Sequence, residues 1–475
     1  MTVVDTEILV VGSGAGGAVT AARLAEAGRS VLVVEEGPWY RPDEHEPFSL
    51  EEFVARYRHQ GPSAALGNPS IVFAEGRGVG GSTEINSGLY HRLPEYLAAD
   101  WRQEYGIADF DEATLTRYAD IVEREITVSK LPGEPPRSSA ALARGSHALG
   151  WRNVEFARVF EYDSQGRGTK QTMSRTMIPR AVAAGARVQP DTNVLRLERR
   201  DGRVVGARAR VTHPDGTSEA VTIRAEHVFV CGGAIQSPAL LQRSGFRRNV
   251  GNGLKFHPTV KIAARFTEEY DHDEVTMHRV TEFSPFITIG HSASRRGQVA
   301  LAIADAAPHA LDAVMKEWQN VVVYYAAIRS SGSGRVVAIP GLRAPLVTYS
   351  LTDADMSRLA RGMVHLGAVL LAAGAVELYP SITAGTVARS RGDLDTWWAE
   401  LTRVRSNLMT VHLTSTIRMG ERRDRTGADS FGRVWGVPNL RVNDASLLPD
   451  APGVNPQAAI MAIATRNADH FLSEL

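Results

Sequence analysis

Thr6-Glu-Ile-Leu-Val-Val-Gly-Ser-Gly-Ala-Gly-Gly17 carries a β-branched apolar strand straight into Gly12-x-Gly14-x-x-Gly17. Ala18, Ala21, Ala22, Leu24 and Ala25 follow at helical spacing, and Val31-Leu-Val-Val-Glu-Glu36 reads as a second strand ending in acids. Each part has a physical job. Gly12 allows a tight turn out of the strand, Gly14 lets a pyrophosphate approach the positive end of the helix, and Gly17 lets the helix lie close on the sheet. Glu35 falls about 20 residues downstream, where a carboxylate would accept hydrogen bonds from a ribose diol. A lone glycine turn proves little, but strand, glycines, helix, strand and acid in this order point to a dinucleotide. FAD and NAD both remain open on this stretch.

The 475 residues exceed one ordinary core, so two domains sharing an interface are expected. Hydrophobic content of 43% beside 22% charged residues suits a globular protein, and a net charge of zero gives no field to steer nucleic acid. The single cysteine, Cys231, excludes an intrachain disulfide and a cysteine metal cage, and its apolar run suggests a small buried hydrophobe. No basic-then-apolar leader precedes the first strand and no apolar run reaches membrane-span length, so a cytoplasmic protein is expected.

Pro38–Pro69 lacks a clear period and reads as a surface loop with a short helix near Leu50–Tyr57. Glu75-Gly-Arg-Gly-Val-Gly-Gly-Ser-Thr-Glu-Ile-Asn-Ser-Gly-Leu-Tyr90 is so glycine-rich that backbone must approach something closely or take positive φ. Trp101–Ser129 reads as two amphipathic helices, Ser138–Leu149 and Ser174–Ala184 as further helices, and Ala186–Pro190, Asn193–Arg199 and Val204–Val211 as strands of a hairpin sheet. Strand Val228–Cys231, Gly232-Gly233 and helix Gln236–Arg243 repeat the strand–glycine–helix logic. Lys255–Phe266, Gln298–Ile303 and Val321–Ile328 alternate like strands before a helix around Asp353–Ala373, which suggests an antiparallel sheet with helices on one face.

Four stretches in order resemble the glucose–methanol–choline (GMC) oxidoreductases. They are Gly76-Arg-Gly-Val-Gly-Gly-Ser-Thr-x-x-Asn86, Gly233-Ala-Ile-Gln-Ser-Pro-Ala-Leu-Leu-Gln-Arg-Ser-Gly245, His412-Leu-Thr-Ser-Thr-Ile-Arg-Met-Gly420, and Asn439-Leu-Arg-Val-Asn-Asp-Ala-Ser-Leu-Leu-Pro449 with Gly453-Val-Asn-Pro456. The resemblance spans the chain. It implies an α/β fold with a Rossmann-like FAD-binding domain (1–158, 171–259 and 405–475) and a discontinuous antiparallel-sheet substrate domain (159–170 and 260–404). It also implies cofactor contacts at Gly12, Gly14, Ala15, Gly16, Gly17, Glu35, Glu36, Arg77, Gly80, Gly81, Ser82, Asn86, Val194, Gly233, Asp444, Ala445, Asn455, Pro456 and Gln457, with Val194 near the adenine. Some relatives attach the flavin to a histidine just before the Asn86 position; Ile85 stands there, so non-covalent FAD is expected.

Alcohol oxidation needs a base near neutrality as hydride leaves carbon, and histidine supplies one without a large shift. The family match puts His412 in that role and Asn455 in the second catalytic position, where an amide could donate to the substrate oxygen; Asn455 also suits the N-cap of the C-terminal helix. Asn86 could reach the isoalloxazine edge or the substrate hydroxyl. Glu84 either faces solvent or lies near the flavin and attracts a cation. His257-Pro258 also matches the family and reads as structural, and Asp271-His-Asp-Glu274 reads as a solvated loop, so no metal is expected.

The expected reaction is hydride transfer from a small hydroxylated substrate to FAD, with dioxygen or another acceptor closing the cycle. Glu84, Glu161, Asp163 and Glu282 suggest a polar, cationic substrate, and the GMC branch that oxidises aminoglycoside intermediates such as paromamine, in antibiotic biosynthesis, suggests a primary alcohol of a sugar or amino sugar. A sterol follows from the Gly-Val-Asn-Pro likeness to cholesterol oxidase, then aryl or aliphatic alcohols. An NAD(P)H-dependent flavoprotein reductase would need a second GxGxxG after a strand, which the chain lacks. A flavin-binding protein without activity is the remaining alternative.

Overall fold

The computed structural model describes residues 2–41, 43–272 and 277–475. The first strand, Thr2–Val11, is the axis of a seven-stranded sheet. It pairs in parallel with Val31–Val34 on one side and Ser218–Val230 on the other; Arg187–Gln189 and Leu440–Val442 extend the parallel part. Burial on both faces is why Ile8–Val11, Val31–Val34 and Val228–Val230 read as unbroken apolar runs. Ile8, Val10, Val31 and Val33 pack beneath helix Ala15–Glu26 and the C-terminal helix Gln457–Ser473, while Leu9, Val11, Leu32 and Val34 pack in a second core with Trp101 and Tyr105. Cys231 is buried in the first of these cores. Thr192–Arg200, Arg203–Thr212 and Ser218–Val230 form the antiparallel wing. Asp201-Gly202, both at positive φ, make its first turn, as a tight hairpin requires.

The second large sheet has nine strands. Its path runs Ser63–Ala65, Ile71–Phe73, Leu408–Thr410, Thr259–Arg265, Val321–Ile328, Ile287–His291, His278–Val280 and Asn153–Glu155, with Glu377–Pro380 also on Thr259–Arg265. Ile71–Phe73 and Leu408–Thr410 are parallel; the other pairs are antiparallel. Val260, Ile262, Ala264, Val322, Tyr324 and Ala326 point into the core shared with helices Arg137–Ala148 and Asp353–Ala372. Thr352 and Asp355 close a capping box on the latter.

Four expectations are corrected. Gln298–Ile303 lies in a helix, Arg296–Ala306; Val299 and Ile303 are buried at i, i+4 and Leu301 is 74% exposed, so the apparent alternation was half of a helical stripe. That helix covers Ala263, Val321 and Val323, so helices flank the sheet on both faces rather than one. Lys255–Phe266 is two strands, Asn252–Phe256 and Thr259–Arg265, because Pro258 has no N–H for the ladder and the chain changes sheets there. Finally, Ser63–Ala65, Ile71–Phe73 and Asn153–Glu155, assigned above to the FAD domain, belong to the nine-stranded sheet, whereas Arg158–Tyr162 and Gly168–Lys170 form a small sheet with Val128–Ser129. Strand partners far apart in sequence leave no periodic signal in either segment.

Among the described residues no helix is long and apolar enough to cross a membrane. The glycine contacts give a direct test of the first turn. A Cβ on Gly17 would lie 2.0 Å from the Gly12 carbonyl oxygen. Gly17→Ala should therefore cost about 3 kcal/mol, read as a lower thermal midpoint together with loss of retained cofactor.

Candidate active site

The nucleotide cradle is made by close backbone approach. Gly12 has φ +100°, and a Cβ there would lie 2.5 Å from the Cys231 carbonyl oxygen; one on Gly16 would lie 2.0 Å from the Asn443 carbonyl oxygen. Gly14 differs: a Cβ would meet only the Gly81 Cα at 3.9 Å, and no side chain caps the helix that begins at Ala15. Open space beside uncapped N–H groups fits a diphosphate. The glycine-rich loop folds directly over this turn. The Gly80 N–H donates to Ser13 Oγ (3.2 Å), a Cβ on Gly81 would lie 2.8 Å from the Gly14 Cα, and Ser82 Oγ accepts from the Gly76 N–H (2.9 Å).

The acids divide their work differently from the expectation. Glu35 accepts from the Ser13 N–H and hydroxyl and from the Gly37 N–H, and burial raises its pKa. It holds the turn together. Glu36 is the carboxylate left at the strand end; burial pushes it up, but Arg58, 2.8 Å away, and Arg77 more than reverse this. The Thr192 N–H donates to the Glu35 carbonyl (2.7 Å), bringing the strand of Val194 alongside Glu36. Asp444 is likewise internal: its carboxylate accepts from the Gly233 N–H (2.7 Å), Ser237 and Ser446, joining the second glycine turn to the C-terminal segment next to Ala445.

Asn86 is held by partners within the protein. Its Nδ2 donates to Gln457 Oε1 (2.7 Å) and its Oδ1 accepts from the Gly88 N–H, so it latches the loop to the start of the C-terminal helix. Pro456, not Asn455, is the N-cap of that helix. Glu84 neither faces solvent nor waits for a cation: it is 8% exposed, pairs with Arg56 at 3.0 Å, and its carbonyl accepts from Lys170. Of the other acids thought to attract a cation, Asp163 and Glu282 pair with Arg167 and Arg152, and Glu161 accepts from Gln171. Of Asp271-His272-Asp273-Glu274, the last two lie outside the described residues, and among the described residues no group of side chains could hold a metal.

His412 stands between the short strands Leu408–Thr410 and Leu413–Thr414, its backbone braced on the Thr410 hydroxyl. Asn455 Nδ2 lies 3.1 Å from His412 Nε2, so the two residues named from sequence do meet. His257, expected to be structural, is part of the same centre: its Nδ1 is 2.8 Å from His412 Nδ1, and its Nε2 accepts the Gly453 N–H at 2.8 Å. Burial lowers His412 to about 4, a large shift where none was expected, and lowers His257 well below the usual range.

The proton count of this pair has one simple solution. Two neutral rings carry two protons, and one lies between the facing Nδ1 atoms. The second must sit on an Nε2. A main-chain N–H cannot become an acceptor, so Gly453 excludes it from His257; the Asn455 amide can present its oxygen after a half-turn. The resting proton therefore belongs on His412 Nε2.

His91 completes the centre and went unnoticed in the sequence, where it merely follows the glycine-rich loop. Both of its ring nitrogens are buried and make no hydrogen bond of normal geometry among the described residues, although the Asn455 side chain is close enough to work against the lowering of its pKa. Asn455, His412 and Arg279 are beside it, and burial, then Arg279 and His412, lower its pKa to about 3. No spacing rule links residues 91, 257, 279, 412 and 455; only the fold brings them together.

Comparison with known proteins identifies the family of the whole chain. Residues 6–259 and 340–464 match the N- and C-terminal profiles of the GMC oxidoreductases. An uncharacterised GMC-type oxidoreductase of Sinorhizobium fredii is 38% identical over 99% of this chain and 95% of its own length. A long-chain-alcohol oxidase of Arabidopsis thaliana is 25% identical, covering 97% of this chain and 66% of its own. Among solved structures, pyridoxine 4-oxidase from Mesorbium loti superposes with a TM-score of 0.74 at 20% identity, over 98% of this chain and 99% of that one, which supports the fold.

The buried histidines set a pH dependence. Folded pKa values depressed to about 4 for His412 and about 3 for His91 mean that the unfolded chain binds protons first as pH falls. Stability should thus be full above the unfolded value of about 6.5 and decline from there down toward pH 4. The acid limb of kcat/KM should fall near pH 4; a limb near 6.5 would contradict the buried arrangement.

Proposed function

The chain belongs to the GMC oxidoreductase family, and from that premise we propose how its own residues carry out the oxidation of an alcohol. It is an FAD-dependent enzyme acting on CH–OH groups. FAD, when bound, supplies the acceptor for the hydride that leaves the carbinol carbon. The first-turn N–H groups after Gly14 would hold its diphosphate, Glu36 and the Val194 backbone its adenosine end, and the 76–86 loop, Ala445 and the start of helix Gln457–Ser473 its ring system. Ile85 is buried and has no nucleophile, which supports non-covalent binding.

The substrate hydroxyl would sit where His412 Nε2 and the Asn455 amide meet; their 3.1 Å contact carries this reading. His412 would take up the hydroxyl proton as general base, which requires a bare Nε2. That tautomer exists when the shared proton lies on His412 Nδ1 and His257 carries its own on Nε2, released from Gly453. The Gly453 hydrogen bond favours a second reading, in which His412 donates its N–H to the oxygen and His91, buried beside Asn455 with no hydrogen bond of normal geometry, accepts the proton. An amino-sugar alcohol loses its support from Glu84, whose charge is already balanced by Arg56, and the alcohol oxidases among the relatives leave neutral alcohols in place.

Anaerobic addition of alcohols to the yellow protein should bleach the flavin band, and His412→Ala should abolish bleaching. His91→Phe separates the two readings. A loss in kcat of about 100-fold or more identifies His91 as the proton acceptor, and a loss of about threefold or less leaves that role to His412. Bleaching by NADPH and by no alcohol would mean a reductase instead.

A further inference from the structure

The peptide that fixes the His257 tautomer is itself held on several sides. Gly453 has φ +69°, its N–H donates to His257 Nε2 at 2.8 Å, and its carbonyl accepts from Thr288 Oγ1 at 3.4 Å. A Cβ on it would lie 3.4 Å from the Pro285 carbonyl oxygen and 3.8 Å from Arg329 Cδ, so the arginine stem closes one flank. Arg329 follows strand Val321–Ile328, and its own N–H is fixed on the Phe286 carbonyl at 3.0 Å.

The head of the same arginine grips the chain just before Gly453. Its Nε donates to the Ala451 carbonyl at 3.2 Å and its Nη2 to Asp450 Oδ2 at 3.0 Å. Asp450 Oδ1 accepts from the Ala451 N–H at 2.8 Å and meets Lys255 Nζ at 3.5 Å. Lys255 in turn donates to the Gly332 carbonyl at 3.0 Å and stands two residues before His257. The 450–453 segment is thus tied at its first residue and at its last. The Arg329 and Asp450 side chains are 20% and 26% exposed, so water and salt weaken the pair less than one on the open surface.

Charge enters as well as geometry. With one proton between the Nδ1 atoms and one on His412 Nε2, the nitrogen of the pair left for a third proton is His257 Nε2, where Gly453 sits. Burial lowers the His257 pKa most, then His412, then Arg329. Behind these groups stand Asp450 and Lys255, bonded through Arg329, and His91 beside His412. Loosening Gly453 and removing the Arg329 charge would each make the third proton easier to add, because the two rings titrate as one unit.

We propose that Arg329 is a positioning residue for alcohol oxidation: its paired bonds to Asp450 and Ala451 hold the Gly453 N–H on His257, so that His412 keeps its proton on Nε2. This inference rests on the reading of His412 and Asn455 given above. It favours donation by His412 and acceptance by His91, since a clamped Gly453 does not release His257.

The test measures kcat, KM and their pH profiles with a neutral alcohol in Arg329→Met, Arg329→Lys and Asp450→Asn. Arg329→Met should lower kcat about tenfold with KM changed less than about threefold, and should move the acid limb of kcat up by about half a unit or more. Arg329→Lys keeps the charge without the two-pronged bond, so kcat should fall while the limb stays. Asp450→Asn leaves the Arg329 charge uncompensated, so its limb should not rise above the wild-type value. An Arg329→Met limb that stays, a limb that rises alike in all three variants, or an unchanged kcat overturns the role. Histidine labelled with nitrogen-15 reads the same arrangement without turnover. His257 Nε2 should be bare in the wild type at neutral pH and partly protonated in Arg329→Met; an unaltered spectrum overturns the proposal even where that variant retains no flavin. Wild-type flavin bleached by NADPH and by no alcohol would overturn the underlying reading, whereas bleaching by alcohols with unmoved variants overturns the positioning role alone.

Discussion

A single main-chain hydrogen bond, from the Gly453 N–H to His257 Nε2, governs the reaction centre. It joins the C-terminal segment of the dinucleotide fold to the point where Pro258 passes the chain into the nine-stranded sheet. Because a peptide N–H has only one role to offer, it fixes the His257 tautomer. Through the 2.8 Å contact between Nδ1 atoms it also fixes what His412 can present to a substrate. The seam between the two sheets and the proton inventory of the site are thus one constraint.

The cofactor cradle works by a similar economy of polar groups. Glu35 and Asp444, the acids nearest the glycine turns, are consumed in closing those turns on themselves, each accepting hydrogen bonds from main-chain N–H groups. Their burial raises both pKa values. A rigid cradle with its own polar groups satisfied leaves the Gly14 region and Glu36 to meet the dinucleotide.

The parts legible in the sequence are those whose chemistry is local. The first strand–glycine–helix unit, the hairpin of Asn193–Arg199 with Val204–Val211 and the long helix from Asp353 each carry their signal within a few residues. His412 and Asn455 were legible only through the family motifs, and the fold brings them within 3.1 Å. Illegible were partnerships made across the chain. Glu84 looked available because Arg56, its partner, lies on a separate helix; the latch from Asn86 to Gln457 was hidden because the two are 371 positions apart. Gln298–Ile303 misled for a different reason: a helical stripe sampled at Val299 and Ile303, with exposed Leu301 between, imitates a strand.

The central claim is that a C–H bond at the alcohol carbon breaks as the flavin is reduced. The most direct measurement is the rate of anaerobic flavin bleaching with an alcohol deuterated at its carbinol carbon, beside the unlabelled compound. Slower bleaching, with one deuterium lost from that carbon in the carbonyl product, is the predicted result. Equal rates with all deuterium retained would contradict the account.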